Sequence, residues 1–380
     1  MEQFDLHVCL VSDQAMPNIL PVFSKNFKPK EIVLLVSDAM HTQAGYLKEL
    51  YKNFKIKVTE IFLQDAYDIA EIESKLQALR DEHYGQSIAL NVTGGTKLMA
   101  IAAQKVFADL DLPVFYVQPD TSEILMVSPH FSRNEIESTI RLANYLLAHG
   151  FKIENEVCRQ LPNLKTHVDL TQKILASIGH YSDAIGTLNK WVADAGKNVQ
   201  LRLSIGQYDL GSNVKDLLDL YQEYGLLTWN RSAIQFKDEK SRVYINGGWL
   251  EEYVFAQVNS VKGIQDKACN LQVVREDAKA NSKGKNNEFD IAFIARNHLH
   301  IIECKTKNMK AEHAGSDETV YKLDSLAGVG GLMTKKCLIS YKELDVATKT
   351  RAKDLRIFCI SGKELQNLGA RLQSWVHPVK

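Results

Sequence analysis

Residues 288–305 read EFDIAFIARNHLHIIECK, which is two apolar runs of strand length separated by a short polar turn. This pattern predicts a β-hairpin. Successive side chains of a strand point to opposite faces, so Glu303 and Lys305 share one face while Cys304 faces the opposite, buried side. Asp290 stands on the neighbouring strand, within reach of that pair. The sequence therefore predicts two carboxylates and one ammonium group at a single place on a sheet.

Two carboxylates held close together repel each other, and they also repel a phosphate, unless a divalent cation bridges them. Hard oxygen ligands with open coordination positions suit Mg²⁺ or Mn²⁺. The set of Asp290, Glu303 and Lys305 therefore favours metal-assisted hydrolysis of a phosphodiester bond. The alternative is an ordinary cross-strand ion pair on a solvated sheet face. The aliphatic residues of both strands argue against that alternative, because they indicate a buried hairpin.

A third acid is expected from residues 247–254, which show helical periodicity upstream of the hairpin. Leu250 and Val254 form an apolar face that leaves Glu251 beside the strand cluster. Helix geometry rotates Glu252 by about 100° from Glu251. We therefore prefer Glu251 as the third acid and keep Glu252 as the alternative.

Asp290, a variable spacer and then Glu303-Cys304-Lys305 on the next strand resemble the core motif of the PD-(D/E)xK nuclease superfamily. The resemblance implies a C-terminal α/β domain like that of restriction endonucleases. It also implies that Asp290 and Glu303 bind the metal, with the helical Glu251 as a further metal ligand. Lys305 would orient or activate the attacking water and stabilise the charge of the phosphorane.

The N-terminal third alternates apolar strands with helical segments, which predicts a doubly wound, Rossmann-like parallel sheet. Ligands of such sheets bind outside the carboxyl ends of the strands. Segment 91–97, NVTGGTK, has the features of a phosphate cradle there, because its glycines let backbone amides approach a ligand and a helix begins at Lys97. A tight strand-to-helix turn with a threonine cap is the alternative. The candidate ligand-binding residues are Ser12, Asp13, Ser37, Thr93, Gly94, Gly95, Thr96 and Lys97.

Together the two halves resemble the CRISPR-associated Rossmann fold (CARF) effector nucleases over nearly the whole chain. The parts that carry the resemblance are Ser12-Asp13, segment 91–97, the helix at 247–254 and the set of Asp290, Glu303 and Lys305. The resemblance implies a sensor that binds a cyclic oligoadenylate, most often cyclic tetra-adenylate, and then switches on metal-dependent cleavage of DNA or RNA in antiviral defence. A two-fold symmetric ring is best held across an isologous interface, which predicts a homodimer. Ring size, substrate choice and degradation of the activator stay open.

Three units are expected along the chain: a CARF-like sensor at 1–133, a helical and winged-helix-like connector at 134–245, and the nuclease domain at 246–380. The connector could bind DNA or only join its neighbours, and Asp216 and Asp219 on its expected recognition helix favour joining. Two rival functions are a transcription regulator that uses the winged-helix-like unit, and a repair or restriction nuclease without a second messenger. The carboxylate set argues against the first, and the glycine-rich loop argues against the second.

The 380 residues carry no net charge, which argues against a protein that coats nucleic acid by bulk electrostatics. Positively charged side chains are instead concentrated on either side of the proposed centre, in loop 279–287 and at Lys307 and Lys310. Neither a Walker A loop nor a dinucleotide fingerprint occurs in the sequence, so ATP hydrolysis and NAD chemistry are disfavoured. No apolar stretch is long enough to span a bilayer, which predicts a cytoplasmic protein without a membrane partner.

The six cysteines lack C-x-x-C spacing, which predicts buried core thiols and neither a zinc site nor a disulfide framework. His298 and His300 lie at the hairpin turn, where we expect them to be exposed to solvent. Two alternating histidines also lack the remaining ligands of a zinc site.

Overall fold

The structure is a computed structural model, and it describes residues 3–136, 139–155, 157–161, 164–196, 201–206, 210–276, 287–306 and 315–378. The strands of these residues form three sheets, with seven, three and six strands. In the same residues, no helix combines the length and the apolar character needed to cross a lipid bilayer.

The first sheet is doubly wound, as the sequence predicts. Its elements are β1 (Leu6–Leu10), α1 (Met16–Phe23), β2 (Glu31–Val36), α2 (His41–Asn53), β3 (Lys57–Phe62), α3 (Ile69–Glu82), β4 (Ile88–Asn91), α4 (Lys97–Asp109), β5 (Val114–Gln118), β6 (Glu123–Ser128) and β7 (Ser132–Glu135). The parallel strands follow the order β3-β2-β1-β4-β5, and β6 and β7 join antiparallel. Every residue of β1 and β2 is buried, as expected where helices cover both faces of a parallel sheet. The strand order reverses between β1 and β4, so their carboxyl ends open a crevice suited to a ligand.

The middle of the chain is mostly helical and carries a small antiparallel sheet. Its elements are α5 (Leu142–Ala148), β8 (Phe151–Ile153), α6 (Leu164–Ala176), α7 (Ile178–Gly196), β9 (Arg202–Ser204), α8 (Ser212–Glu223), β10 (Leu227–Trp229), β11 (Ala233–Phe236) and α9 (Glu239–Val243). The order of the small sheet is β10-β11-β9, and α7 packs against α8.

The third sheet contains the predicted hairpin. Its elements are α10 (Trp249–Ser260), β12 (Ile264–Arg275), β13 (Asn287–Ala295), β14 (His298–Lys305), α11 (Gly315–Leu326), β15 (Lys335–Ser340), α12 (Val346–Asp354), β16 (Ile357–Ser361) and α13 (Leu368–Val376). The strand order is β16-β15-β14-β13-β12-β8. β13 and β14 pair antiparallel, whereas β15 and β16 continue the sheet in parallel. Both faces of the hairpin are buried, which agrees with its aliphatic sequence.

Strand pairing divides the chain differently from the expected boundary at 133/134. β7 extends the first sheet as far as Glu135, and β8 pairs with the end of β12 in the third sheet. Segment 134–245 therefore contributes strands to all three sheets. β8 has three residues, which is too short for an alternation pattern to reveal it in the sequence.

One apolar core joins the first and third sheets. Helix α5 packs against α2 on one side and β13 on the other, and its Leu142, Tyr145 and Leu146 are fully buried. The Tyr145 hydroxyl donates a hydrogen bond of 3.0 Å to the carbonyl of Gly330 in the third-sheet domain. The N-terminal and C-terminal domains are therefore in direct contact.

The hairpin turn between β13 and β14 is covered by residues 119–122 of the N-terminal domain. Its two residues have φ values of 51° and 60°, the left-handed values of a two-residue hairpin turn. Asn297 Nδ2 donates hydrogen bonds to the carbonyl of Pro119 (3.0 Å) and to Ser122 Oγ (2.7 Å). His298 Nε2 lies 2.5 Å from Asp120 Oδ1. These contacts attach the hairpin to the N-terminal domain at the end farthest from Glu303.

The expectation that His298 and His300 are exposed is wrong, because their side chains are only 5% and 2% exposed. His298 lies beneath residues 119–122, and His300 stacks on Phe293 with ring centroids 4.7 Å apart. Burial lowers the pKa of His300 to about 3, so the ring is neutral in the folded protein. A hairpin turn is exposed in an isolated domain, and here a second domain covers it.

Candidate active site and ligand pocket

Strand pairing brings Asp290 and Glu303 together. Ile291 is paired with Ile302, and the next position of the same register sets Asp290 beside Glu303. Asp290 Oδ2 accepts a hydrogen bond of 2.7 Å from the backbone amide of Cys304, which fixes the carboxylate against β14. The Cys304 side chain is 6% exposed and packs into the core. The hairpin therefore presents both acids from adjacent strands.

Glu303 is a buried carboxylate with two lysine partners. Its side chain is 2% exposed, and its Oε1 accepts hydrogen bonds from Lys305 and, at 3.3 Å, from Lys322 on α11. Because the charge of a buried carboxylate requires compensation, both ammonium groups stabilise its ionised form. Sequence reasoning missed Lys322. No spacing rule links a helical lysine to the strand motif, and only the packing of α11 against β15 brings it near.

Glu251 belongs to the same electrostatic cluster. Burial, followed by the charge of Asp290, raises the pKa of Glu251 to about 8. Burial, followed by the charge of Glu303, raises the pKa of Asp290 to about 6. Glu252 instead faces α6, where its Oε2 lies 2.6 Å from Nδ1 of His167. The geometry thus groups Glu251, and not Glu252, with the strand carboxylates.

A backbone kink places the beginning of α10. Gly247 has a φ of 117°, and a Cβ atom at this position would lie 2.7 Å from Oγ1 of Thr306, the residue after Lys305. Asn189 on α7 donates a hydrogen bond of 3.0 Å to the same hydroxyl. Only glycine combines this φ with this close approach. The packing holds the first turn of α10, and with it Glu251, close to the end of β14.

The raised pKa values of Glu251 and Asp290, which lie beside the buried Glu303, indicate a site where an added cation would be favourable. Carboxylate oxygens are the donors that Mg²⁺ and Mn²⁺ prefer, so the donor set fits such an ion. Within the residues that the structure describes, no group of three or more His, Cys, Asp or Glu side chains is arranged to hold a metal ion. Mg²⁺ commonly keeps several water ligands and binds only one or two carboxylates, so a pair of the acids is enough for such an ion.

A cavity of about 410 Å³ opens at the carboxyl ends of β1, β2 and β3. Five of the predicted ligand-binding residues line it: Ser12, Asp13, Ser37, Gly95 and Thr96. Asp38, next to the predicted Ser37 at the end of β2, also lines it, and sequence reasoning missed Gln64, Asp65 and Tyr67 in the loop after β3. Ligands bind at the carboxyl ends of parallel strands, and this rule indicates the loop after β3 as well as the loops after β1 and β2.

Three other predicted residues have roles in the loop itself. The Thr93 hydroxyl donates to Asn91 Oδ1 (2.7 Å) and accepts from the Val117 amide (2.7 Å), so it links β4 to β5. A Cβ atom on Gly94 would lie 2.1 Å from the carbonyl oxygen of Leu10, so this glycine permits close packing of the loop on β1. Lys97 is exposed at the first position of α4.

A second cavity, of about 240 Å³, lies between the two domains and shares Asp13 with the first. Tyr116 and Gln118 of β5 line it from the N-terminal domain. His298 and the loop at Gly330 line it from the C-terminal domain. The loop of Asp13 therefore borders both the ligand cavity and the contact between domains.

Residues 279–286 of the predicted cationic loop lie outside the residues that the structure describes. Lys307 and Lys310 lie outside them as well.

Comparison with known families identifies both halves of the chain. Residues 6–145 match the Card1 CARF domain, and residues 238–379 match the family described as Card1-like, endonuclease domain. A comparison with curated proteins gave no match.

Solved structures share the complete architecture. Protein VC1899 from Vibrio cholerae is 24% identical, with a TM-score of 0.87 over 98% of this chain and 97% of that chain. Can2 from Sulfobacillus thermosulfidooxidans, solved in complex with cyclic tetra-adenylate, is 25% identical, with a TM-score of 0.79 over the same shares. A type III CRISPR defence DNA nuclease activated by cyclic oligoadenylate is 19% identical, with a TM-score of 0.58 over 91% of this chain and 46% of that chain. With a CARF domain at one end and an endonuclease domain at the other, the chain belongs to the Card1-like CARF endonucleases.

Proposed function

We propose that this endonuclease is switched on by a cyclic oligoadenylate and cleaves DNA or RNA with the help of a divalent cation, as part of CRISPR-type antiviral defence in the cytoplasm. The observation that carries the catalytic part is the cluster of Glu251, Asp290 and Glu303, two of which have raised pKa values. The activator is proposed from Can2, whose structure contains cyclic tetra-adenylate.

In this proposal Asp290, Glu303 and Glu251 hold Mg²⁺ or Mn²⁺, which when bound supplies charge stabilisation for the phosphoryl oxygens. Lys305 Nζ stands next to the Glu303 carboxylate, so it can hold the attacking water in line with the phosphorus atom. Lys322 provides a second positive charge beside the same carboxylate, where it can help to stabilise the negative charge that develops on the oxygens of a bound phosphate during bond cleavage.

The ligand cavity offers two kinds of partner to a nucleotide ring. Asp13, Asp38 and Asp65 line it, and carboxylates accept hydrogen bonds from ribose hydroxyls and adenine amino groups. The beginning of α4, with Gly95 and Lys97, favours phosphate because of its free amides and helix dipole. We propose that two protomers bring these loops together around one ring, so that the active form is a homodimer with sensor, connector and nuclease units in each chain.

The test is cleavage of labelled DNA and RNA by purified protein with Mn²⁺ and a panel of cyclic oligoadenylates. We expect cleavage only when an activator is present. Glu303→Ala and Asp290→Ala should lower the rate by more than about a hundredfold, since even outer partners of metal ligands are worth 10- to 100-fold. Both variants should still bind activator and remain folded, because each removes a group from a site with like-charge repulsion.

Glu252→Gln is the matched control, because this acid lies on the same turn of α10 but faces His167. It should keep most of the cleavage activity, whereas Glu251→Gln should not. Full activity of the Asp290 and Glu303 variants would refute the metal site, and cleavage by the wild type without any cyclic oligoadenylate would refute the gating.

A further inference from the structure

Cys158 and Cys269 lie directly opposite each other in an isolated antiparallel β-bridge. The backbone amide of Cys269 donates a hydrogen bond of 3.0 Å to the carbonyl of Cys158. Opposed residues of a hydrogen-bonded antiparallel pair have Cα atoms about 5.5 Å apart. This separation falls at the most frequent Cα separation of disulfides, which is about 5.5 to 6 Å. The backbone is therefore already spaced for a bond between the two sulfur atoms.

The thiol groups themselves are adjacent. The Cys269 thiol donates a hydrogen bond of 3.5 Å to the carbonyl of Cys158, so its sulfur leans toward the partner residue. Burial, and then the neighbouring Cys158 thiol, raise the pKa of Cys269 well above its ordinary value.

Polar contacts hold the Cys158 segment against β12. Arg159 forms a bidentate ion pair with Asp266, with distances of 2.9 Å and 3.1 Å. Asn155 Nδ2 donates to the carbonyl of Asn270, next to Cys269, at a distance of 2.6 Å. These contacts fix residues near each cysteine and hold the two segments side by side.

The two cysteines differ in access. Cys269 is 2% exposed, whereas Cys158 is half-buried at the edge of the core, where its thiol donates a hydrogen bond of 3.5 Å to the carbonyl of Gln160. A small oxidant therefore reaches Cys158 first. This arrangement fits a peroxide-reactive thiol with a buried partner that completes the reaction.

We propose that Cys158 and Cys269 form a disulfide when the protein meets a hydroperoxide. The Cys158 thiol attacks the terminal peroxide oxygen, breaks the O–O bond and becomes a sulfenic acid, and an alcohol or water is released. The Cys269 thiol then attacks the sulfenic sulfur, the S–S bond forms, and the hydroxyl departs as water. Two thiols are oxidised by two electrons in total, and the peroxide is reduced by the same two.

The bond would form beside the catalytic cluster. Cys269 is paired with Ile291, the neighbour of Asp290, and the charge of Glu251 is among the effects on its pKa. The disulfide would thus join the segment before α6 to the strand next to β13. The proposal does not depend on the activator or on the substrate of the nuclease.

The test is disulfide mapping of the full chain after mild treatment with hydrogen peroxide. Free thiols are blocked with N-ethylmaleimide, and the protein is digested with trypsin without reductant. We expect one cross-linked species that joins peptides 153–159 and 268–275, and its loss after dithiothreitol. Cys158→Ser and Cys269→Ala should each abolish it.

Cys337 and Cys359 serve as an internal control in the same digest. They lie on adjacent strands, but Cys337 is paired with Phe358, so the two cysteines are offset by one position and point to opposite faces. Both should be recovered as N-ethylmaleimide adducts. Recovery of Cys158 and Cys269 as free thiols, as unlinked higher oxides, or in disulfides with other cysteines would overturn the proposal, and it would do so whatever the result of the cleavage assays.

Discussion

At the level of single residues, Lys322 is the informative side chain, because it shares a carboxylate with Lys305 although it comes from a helix. Burial raises the pKa of Asp290, and the Lys322 ammonium opposes that rise. We therefore expect Lys322→Gln to raise the pKa of Asp290 further, to shift the pH–rate profile for cleavage toward alkaline pH, and to lower the rate by roughly tenfold, which corresponds to about 1.4 kcal/mol.

The pH–rate profile is the deciding measurement for Lys322, because a purely structural loss would lower the rate equally at every pH. Lys322→Arg keeps the charge and should restore the wild-type profile. If the pH–rate profile of Lys322→Gln is the same as that of the wild type, Lys322 is not part of the catalytic site.

Lys97 gives a prediction for the sensor. Loss of one charge-assisted phosphate contact costs about 1.5 to 3 kcal/mol, and a symmetric dimer loses it twice. In Lys97→Ala the activator concentration for half-maximal cleavage should therefore rise by at least about tenfold, with the maximal rate recovered at saturation. Lys105→Ala is the control, since Lys105 lies near the other end of α4 and pairs with Glu73. If calorimetry shows that Lys97→Ala binds the activator as the wild type does, segment 91–97 is only a strand-to-helix turn.

The sequence predicts the position of a side chain well where its residue type and the periodicity of its helix or strand indicate the same position. Alternation along a strand is enough to place Glu303 and Lys305 on one face, and helical rotation separates Glu251 from Glu252. The method is weaker for groups whose hydrogen bonds can be satisfied locally. Thr93 has the right residue type for a ligand contact, yet its hydroxyl joins two strands, and sequence does not reveal which partner a hydroxyl will choose.

At the level of elements, the catalytic hairpin is attached at one end to residues 119–122 and carries its acids at the other. Asn297 makes two of these contacts through its side-chain amide. We expect Asn297→Asp to keep the left-handed turn, which Asp tolerates, but to lose both donated hydrogen bonds. The stability loss should be about 1 to 3 kcal/mol. Activator binding should stay unchanged, while the increase in cleavage that the activator produces should become smaller.

Asn297→Gly is the companion variant, since glycine also accepts a positive φ and lacks the amide. If both variants respond to the activator as the wild type does, the hairpin turn is not part of the coupling between domains. Activator titrations that record binding and cleavage on the same samples distinguish this outcome from a simple loss of folded protein.

Element-level prediction recovered the parallel sheet and the hairpin because both produce strong local patterns. The burial of His298 and the place of β8 were not recoverable in this way. Each depends on a contact with a distant part of the chain, with residue 120 in one case and with β12 in the other. Local periodicity carries no information about such contacts.

For the whole molecule, four histidines with lowered pKa values oppose folding in acid; His7, His298 and His300 are buried and His149 is half-buried. Burial lowers the pKa of His7 and His300 to about 3 and also lowers the pKa of His149 and His298. Because each folded value lies below the unfolded value, the unfolded chain binds protons that the folded chain does not. The stabilising contribution of each neutral histidine is present above about pH 6.5 and is lost as the pH falls; for His7 and His300 the loss continues toward pH 3, by about 1.4 kcal/mol per pH unit.

His300→Gln isolates this effect, because it removes one titrating group and can keep the hydrogen bond to the carbonyl of His298. Glu251 and Asp290 have raised pKa values and act in the opposite sense, so the comparison must be made between variant and wild type. Chemical denaturation from pH 4 to 7 should show that the free energy of unfolding of the variant depends less steeply on pH, by about one proton. Equal slopes would contradict the neutral state of His300.

The position of β8 at the edge of the third sheet bears on how this protein could be cut or recombined. The chain contributes β8 to that sheet before α6 and returns to it with β12, so the third sheet is built from two separate parts of the sequence. A fragment that begins after the connector lacks an edge strand and leaves the backbone of residues 273–275 open to pairing with other chains. We therefore expect that a chimera in which residues 246–380 are joined to another sensor folds properly only if α5 and β8 are transferred with them.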